Sequence, residues 1–528
     1  MTSPTAHQAT RGCDDPNVYA RRVRAIAICL ASLAFLGGQT DTLSAQMGEM
    51  DLTVLDAETK DPIPVRLRIL DSIGRAPRIR NVPRQGDDFT FSQLLTFKLK
   101  TGKYQFVIDR GPHYHQRRGR LEVKRDGFDQ KTLILPRFVD MRKEGWYGGD
   151  LLVERKRTFL ELLLDSEELD LAVVPSWKAG VEFNRVELEE SHTTEQLGQF
   201  AVDFSGGLCV SDGGRLLAAN FPTGTKIDPT SFPTDAFGFA QETRHQSGHV
   251  AVLDPWGPDM PMLVAFDLVD SIALLNSSLQ LDGDVTKAKG RQPDDSRFTG
   301  QHGLGRYAEF IYHQLLNCGL RIPPSACSGS GECDNPPGFN RVYVACGQDF
   351  SAESWWRNLA KGQSIVSNGP VLRVRANDQL PGHVFQGAGS NSLSIQISCN
   401  LATRQKIEYL EIIKNGQVVE SVRLDKWAKN NGRLPPLEFD ASGWFVVRAY
   451  SPSEKTYRCA TSAPYYVEFD QSPRISKSAA KFFVDWIYAR ARQLRKSKLP
   501  AQQITDRIER QKAARDFWQD LLDRANAA

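Results

Sequence analysis

Hydrophobic positions recur with two different periods along the chain. Asp51-Leu52-Thr53-Val54-Leu55 and Val65-Arg66-Leu67-Arg68-Ile69 alternate apolar with polar residues, the period of a strand with one face in a core. Asp61-Pro62-Ile63-Pro64 separates them as a turn, and Tyr104 to Ile108, Leu121 to Val123 and Leu133 to Leu135 continue the pattern. This predicts a small antiparallel β sandwich over residues 46–137. Farther on, Leu171-Ala172-Val173-Val174 and Val250-Ala251-Val252-Leu253 are apolar without alternation, as strands buried on both faces are. Phe159 to Leu164 and Tyr307 to Leu316 between such runs predict helices, so residues 138–382 read as mixed α/β. Alternation then returns in Leu393-Ser394-Ile395-Gln396-Ile397. Asn415-Gly416 joins Tyr409–Lys414 to Gln417-Val418-Val419 as a hairpin with a type I′ turn. Residues 444–450 and 465–469 add strands, predicting a second β sandwich over residues 383–470. Phe482, Phe483, Trp486, Ile487 and Leu494 fit one helix that breaks at Pro500. Ile504, Ile508, Phe517, Trp518, Leu521 and Leu522 fit another, a helical hairpin over residues 471–528.

Composition narrows the class. The 528 residues accommodate about three or four domains at roughly 150 residues each, and 41% hydrophobic with 24% charged residues is an ordinary globular mixture. A net charge of +3 gives no electrostatic case for nucleic acid as a partner. Arg21, Arg22 and Arg24 precede an apolar run, Ala25 to Leu36, with Leu43-Ser44-Ala45 before Gln46. That is the pattern of a cleaved export leader over residues 1–45 and predicts a periplasmic or secreted protein. The run is shorter than the roughly 20 residues a membrane span needs, and no transmembrane segment is expected after leader removal. Cys327 and Cys333, in a Gly- and Pro-containing loop, suit a disulfide or free thiols better than zinc, because no further ligands follow at matching spacing. His113-Tyr114-His115 would share a face on a strand, but Arg117, Arg118 and Arg120 follow and would repel a cation, so it reads as a surface pair. No P-loop, dinucleotide glycine fingerprint or Gly-x-Ser-x-Gly elbow is present.

The sharpest signal is a set of motifs in a fixed order. Gly145-Trp146-Tyr147 leads into Gly149-Asp150-Leu151-Leu152-Val153-Glu154-Arg155. Residues 315–326 follow, then Pro337-Gly338-Phe339-Asn340-Arg341-Val342-Tyr343-Val344, Trp355-Trp356-Arg357-Asn358-Leu359 and Gly362-Gln363-Ser364-Ile365-Val366-Ser367-Asn368-Gly369-Pro370. Over residues 142–382 the chain resembles the CehA/McbA-type metallohydrolases of the PHP superfamily. The resemblance implies an α/β barrel, flanked here by an N-terminal and a C-terminal β sandwich and the helical hairpin. It also implies a metal-activated water that attacks an ester, carbamate or phosphoester bond.

The same resemblance shows what this chain lacks. Where the family carries two histidines one residue apart, it has Leu152 and Glu154. Asp170, Asp254 and Ser278 stand at further ligand positions, and Cys327-Ser328-Gly329 replaces an element that should hold a carboxylate. His192, His245, His249, His302 and His313 fall off the motif positions. Two expectations follow. The first is a pseudoenzyme, an exported homologue that binds an unidentified small molecule or protein, needs no cofactor and catalyses nothing. The second is a metal-dependent hydrolase with a rebuilt oxygen-ligand site, in which Glu154, Asp170 and Asp254 hold magnesium or calcium; that site requires the three carboxylates to converge. Arg155, Lys178 or water could equally neutralise them.

Overall fold

In the computed structural model of the chain, residues 47–179, 193–387, 392–452 and 454–528 are described. The expected leader, residues 1–45, lies outside them, as does His192. The chain is a mixed α/β protein dominated by sheets, and it ends in a pair of helices.

The strand Met47–Asp56 buries every second residue. It pairs with Leu94–Lys100 antiparallel and with Phe128–Leu135 parallel, the one departure from an all-antiparallel expectation. A second sheet orders Arg84–Gln85, Asp88–Phe91, Val65–Asp71, Gly102–Asp109 and Arg117–Val123. Both sheets feed one core that includes Val54, Val65, Ile69, Phe89 and Ile108. This unit is tied to the last turn of the helix Arg157–Ser166 and the residues just after it. Arg66 Nε meets Glu167 at 2.8 Å, and Arg110 meets Asp165 at 2.9 Å. His113 is a correction to the sequence reading: it is buried, not superficial, and bonds Glu168 and Tyr343 at 2.9 Å each. The turn at Gly111 (φ +57°) presses against the Glu167 carbonyl and carries the ring inward.

In the middle of the chain the hydrogen-bonded path closes on itself. Trp146–Asp150 runs parallel to Leu171–Val173, which runs parallel to Phe200–Asp203. Trp177–Ala179 continues parallel to Gly207–Ser211, and Val174 N–Asp203 O and Ser176 N–Gly206 O bonds of 2.9 Å bridge the two pairs. Gly207–Ser211 and Gly214–Ala219 are antiparallel, as are Gly214–Ala219 and His249–Val252. His249–Val252, Ser271–Leu275 and Pro324–Ala326 are parallel neighbours. Leu151 N then donates to Ala326 O at 3.1 Å and returns to the start. The helices Arg157–Ser166, Ala236–His245, Met260–Ala265 and Gly303–Asn317 connect successive strands. Off the motif positions, His249 is buried and His313 half-buried, both as packing residues; desolvation pulls their pKa values down to about 4 and about 3.

The remaining strands extend this framework. Trp146–Asp150 also pairs with Arg341–Ala345, which pairs with Ser364–Ser367, and that strand pairs with Arg458–Ser462. Gly443–Ser451, Tyr409–Lys414 and Gln417–Arg423 complete the same sheet, so it crosses the expected boundary at 382/383 without interruption. The helices Lys477–Arg495 and Ala501–Asp523 lay their apolar stripes together. Phe483 and Trp518 stack at 4.3 Å, and Trp518 Nε1 donates to Pro261 O at 2.9 Å. All seven described cysteines are free thiols, and Cys327 and Cys333 are not joined. Among the described residues no helix is long and apolar enough to cross a membrane.

Candidate functional site

The C-terminal ends of the ring's parallel strands form one rim, the edge where α/β sheets usually present ligand groups. Asp150 closes the first strand and is fully buried. Its oxygens accept N–H bonds from Leu152 at 3.1 Å, Ser328 at 2.9 Å and Gly338 at 2.7 Å. Burial pushes its carboxyl up to about 6, against the pull of these backbone donors. The motif aspartate thus fastens the loop after Pro324–Ala326 to the first strand. Leu152, at a position where the family resemblance leads one to expect a ligand, is fully buried in the main apolar core. Two motif asparagines extend the fastening. Asn340 Nδ2 donates to Asn276 O at 2.9 Å, and Asn368 Nδ2 donates to Asn340 Oδ1 at 3.2 Å and Tyr457 O at 2.7 Å.

Glu154 and Asp254 both reach this rim, each beside a basic side chain. Lys178 Nζ, from Trp177–Ala179, meets Glu154 at 2.7 Å. Arg215 opens the strand Gly214–Ala219 and is buried. Its guanidinium donates to Glu332 at 2.8 Å and Ser277 Oγ at 3.1 Å, and its Nε lies 4.0 Å from Asp254. Burial pulls its pKa down, but Asp254 and Glu332 together, with Cys327 and Glu154 adding to them, hold it above the ordinary arginine value. Burial raises the Asp254 carboxyl, with Arg215 opposing. Ser278, beside Ser277, gives its N–H to Asn276 Oδ1 at 3.0 Å.

Asp170 is not brought to this rim. It precedes Leu171–Val173, accepts from Gly148 N at 2.7 Å and pairs with Arg142 at 2.5 Å. Asp170 lies at the entry of Leu171–Val173, beside Gly148 of Trp146–Asp150, whereas Glu154 follows the far end of that strand. Burial pushes Asp170 up to about 6, with Arg142 opposing. The three carboxylates therefore do not converge, and among the described residues no group of three or more His, Cys, Asp or Glu could hold a metal. A divalent ion placed between Glu154 and Asp254 would also face Arg215. At about 4 Å and an effective dielectric of 20 that repulsion costs roughly 8 kcal/mol. The donor set does not fit magnesium or calcium.

Arg215 and Glu332 were not singled out from sequence, and Lys178 only as one of several neutralising groups. Arg215 had a usable signal: it is the one cation in Gly213-Gly214-Arg215-Leu216-Leu217-Ala218-Ala219, a strand otherwise buried throughout.

No protein-family model matches the chain, and no curated relative matches it. Among solved structures, it is similar to the Bacillus anthracis TIE protein at 18% identity over 21% of this chain and 20% of that one, with a TM-score of 0.14. The chain thus spans about a fifth of that protein's length. The four N-terminal Ig domains of Dscam1 isoform 8.4 align at 7% identity over 80% and 72% of the two chains, TM-score 0.14. The Parabacteroides merdae beta-glucuronidase aligns at 11% over 79% and 61%, TM-score 0.18. Scores this low carry no argument about fold or function.

Proposed function

We propose that the chain is an exported, non-catalytic binding protein derived from the CehA/McbA-type metallohydrolases, with its ring of strands as a PHP-like α/β barrel. The motif order over residues 142–382 and the closed hydrogen-bonded path support the family reading. The observation that carries the loss of activity is Arg215. Where a metal-activated water would be generated, a buried guanidinium is bonded to Glu332 and Ser277 and faces Asp254. Without a metal, water near neutral pH yields no hydroxide nucleophile.

Metal analysis of the purified chain tests this reading. The expected result is far less than one zinc, manganese, iron, magnesium or calcium per chain, and no metal-stimulated esterase or phosphoesterase activity. Stoichiometric metal with activity lost in Asp254→Ala would overturn it. Export is tested separately by N-terminal sequencing of periplasmic or secreted material, which is expected to begin near Gln46; an intact Met1 on cytosolic protein would contradict it.

A further inference from the structure

A cavity of about 350 Å³ opens where the N-terminal sheets, the loop around Phe339 and the C-terminal sheet meet, and it adjoins the rim just described through Gly338 and Asn368. Its wall carries six arginines and five carboxylates, and the carboxylates are unevenly shared. Arg66 takes Asp88, Asp109 and Glu167 at 2.7–3.0 Å. Arg68 shares Asp88 and takes Asp282, and Arg404 takes Asp109 at 2.6 Å. Glu454, the fifth carboxylate, forms no ion pair with an arginine of the described residues.

Arg118, Arg341 and Arg458 form no ion pair among the described residues; Arg341 spends its donors on the Gly338, Glu167 and Glu168 carbonyls and Arg118 bonds Gln116, which leaves Arg458. Its guanidinium lies over the Phe339 ring, 4.2 Å from the centroid, and Nη1 donates to the Asn368 carbonyl. No carboxylate of the described residues comes within ion-pair distance. Burial pulls its pKa down to about 10; Glu454, and more weakly Asp109 and Asp284, oppose that pull, and Arg404 adds to it. A guanidinium held over an aromatic face keeps its planar fork of N–H donors, which can receive two oxygens of one anion. One donor is used by Asn368; the others meet no protein acceptor among the described residues. A half-buried cation in this state is stabilised by an incoming anion more than by water alone.

We propose that this cleft is an oxyanion site, in which Arg458, floored by Phe339 and seconded by Arg404, receives the carboxylate or phosphate of a metabolite-sized molecule. The volume is at the small end of the range for such sites. Asn368 and its neighbour Gly369 place the last motif at the cleft wall, which gives that motif a role apart from metal chemistry. The inference rests on the binding role proposed above only in naming what is bound.

Titration of the full chain with inorganic phosphate, and in a second arm with gluconate, at constant ionic strength, tests it. At least one anion is expected to saturate, and the arm that does so assigns phosphate or carboxylate. Arg458→Gln is expected to weaken that binding at least ten-fold. Arg458→Lys, which keeps the charge but loses the fork, is expected to weaken it less. Should Arg458→Gln fail to fold, Arg458→Lys and Phe339→Leu decide. Saturation by neither anion, or unchanged affinity in the folded variants, overturns the proposal. Metal content and hydrolase activity do not enter the titration, so this site and the reading of the rim stand or fall separately.

Discussion

Asp150 shows how one buried carboxyl couples this fold to pH. Its pKa in the folded chain is about 6 against 3.8 for the free side chain. Between those values the folded form holds a proton the unfolded form has released, so stability from this group is greatest near pH 4 and declines as pH rises through 6. The decline is about 2–3 kcal/mol. Urea melts of the parent and Asp150→Asn across pH 4–7 should show the parent's advantage shrinking with rising pH; a constant or widening gap would refute the assignment. Arg215 gives a second prediction. Arg215→Met leaves Asp254 buried with only the weaker field of Lys289 opposing its charge, a loss of roughly 3–5 kcal/mol at neutral pH. Protonation of Asp254 relieves that cost, so the variant should recover part of its melting temperature at pH 5 relative to pH 8. Gly149 is constrained by contact rather than charge. A Cβ there would lie 2.3 Å from the Trp355 ring, so Gly149→Ala should destabilise by about 1–3 kcal/mol in the same melts.

Elements whose cause is local were legible in the sequence. Asn415 and Gly416 sit at φ +52° and +83°, both left-handed as a type I′ turn demands. The C-terminal apolar stripes form the helices Lys477–Arg495 and Ala501–Asp523, with the break at Pro500. Their docking partner was not legible, because a stripe specifies that a face is buried and not what buries it. Arg490 settles part of it by meeting Asp259 at 2.7 Å and Asp212 at 2.8 Å. Trp518 settles the rest through Phe483 and the Pro261 carbonyl. Trp518→Ala should cost about 3–5 kcal/mol and make the tail the first segment cut in limited proteolysis; a protected tail would count against this packing.

At the scale of the molecule, the joined sheet is the main consequence for stability. Ser364–Ser367 lies between Arg341–Ala345 and Arg458–Ser462, so the central and C-terminal parts share backbone hydrogen bonds as well as side chains. Calorimetry should therefore show residues 138–528 unfolding as one transition, and a fragment ending at residue 382 should not fold alone. Two transitions separable by that cut would show that the continuous sheet carries little coupling energy. The cleft at Arg458 also belongs to this scale, since its wall comes from many separated stretches of the chain, from Arg66 to Arg458.

Periodicity and turn residues are properties of neighbouring residues, and the sequence by itself determined them: the alternating strand Met47–Asp56, the Asn415-Gly416 turn and the paired tail helices. Which charge meets which was decided only by the tertiary structure. Asp170 and Asp254 are alike as letters, yet strand register places one beside Arg142 and Gly148 and the other beside Arg215. His113 reads as a surface residue until the turn at Gly111 folds it against Glu168 and Tyr343. Arg458 is one of many arginines until Phe339, far away in sequence, lies beneath it. Each of these outcomes depends on distances across chain separations of tens to hundreds of residues, and electrostatic energy follows those distances rather than spacing along the chain.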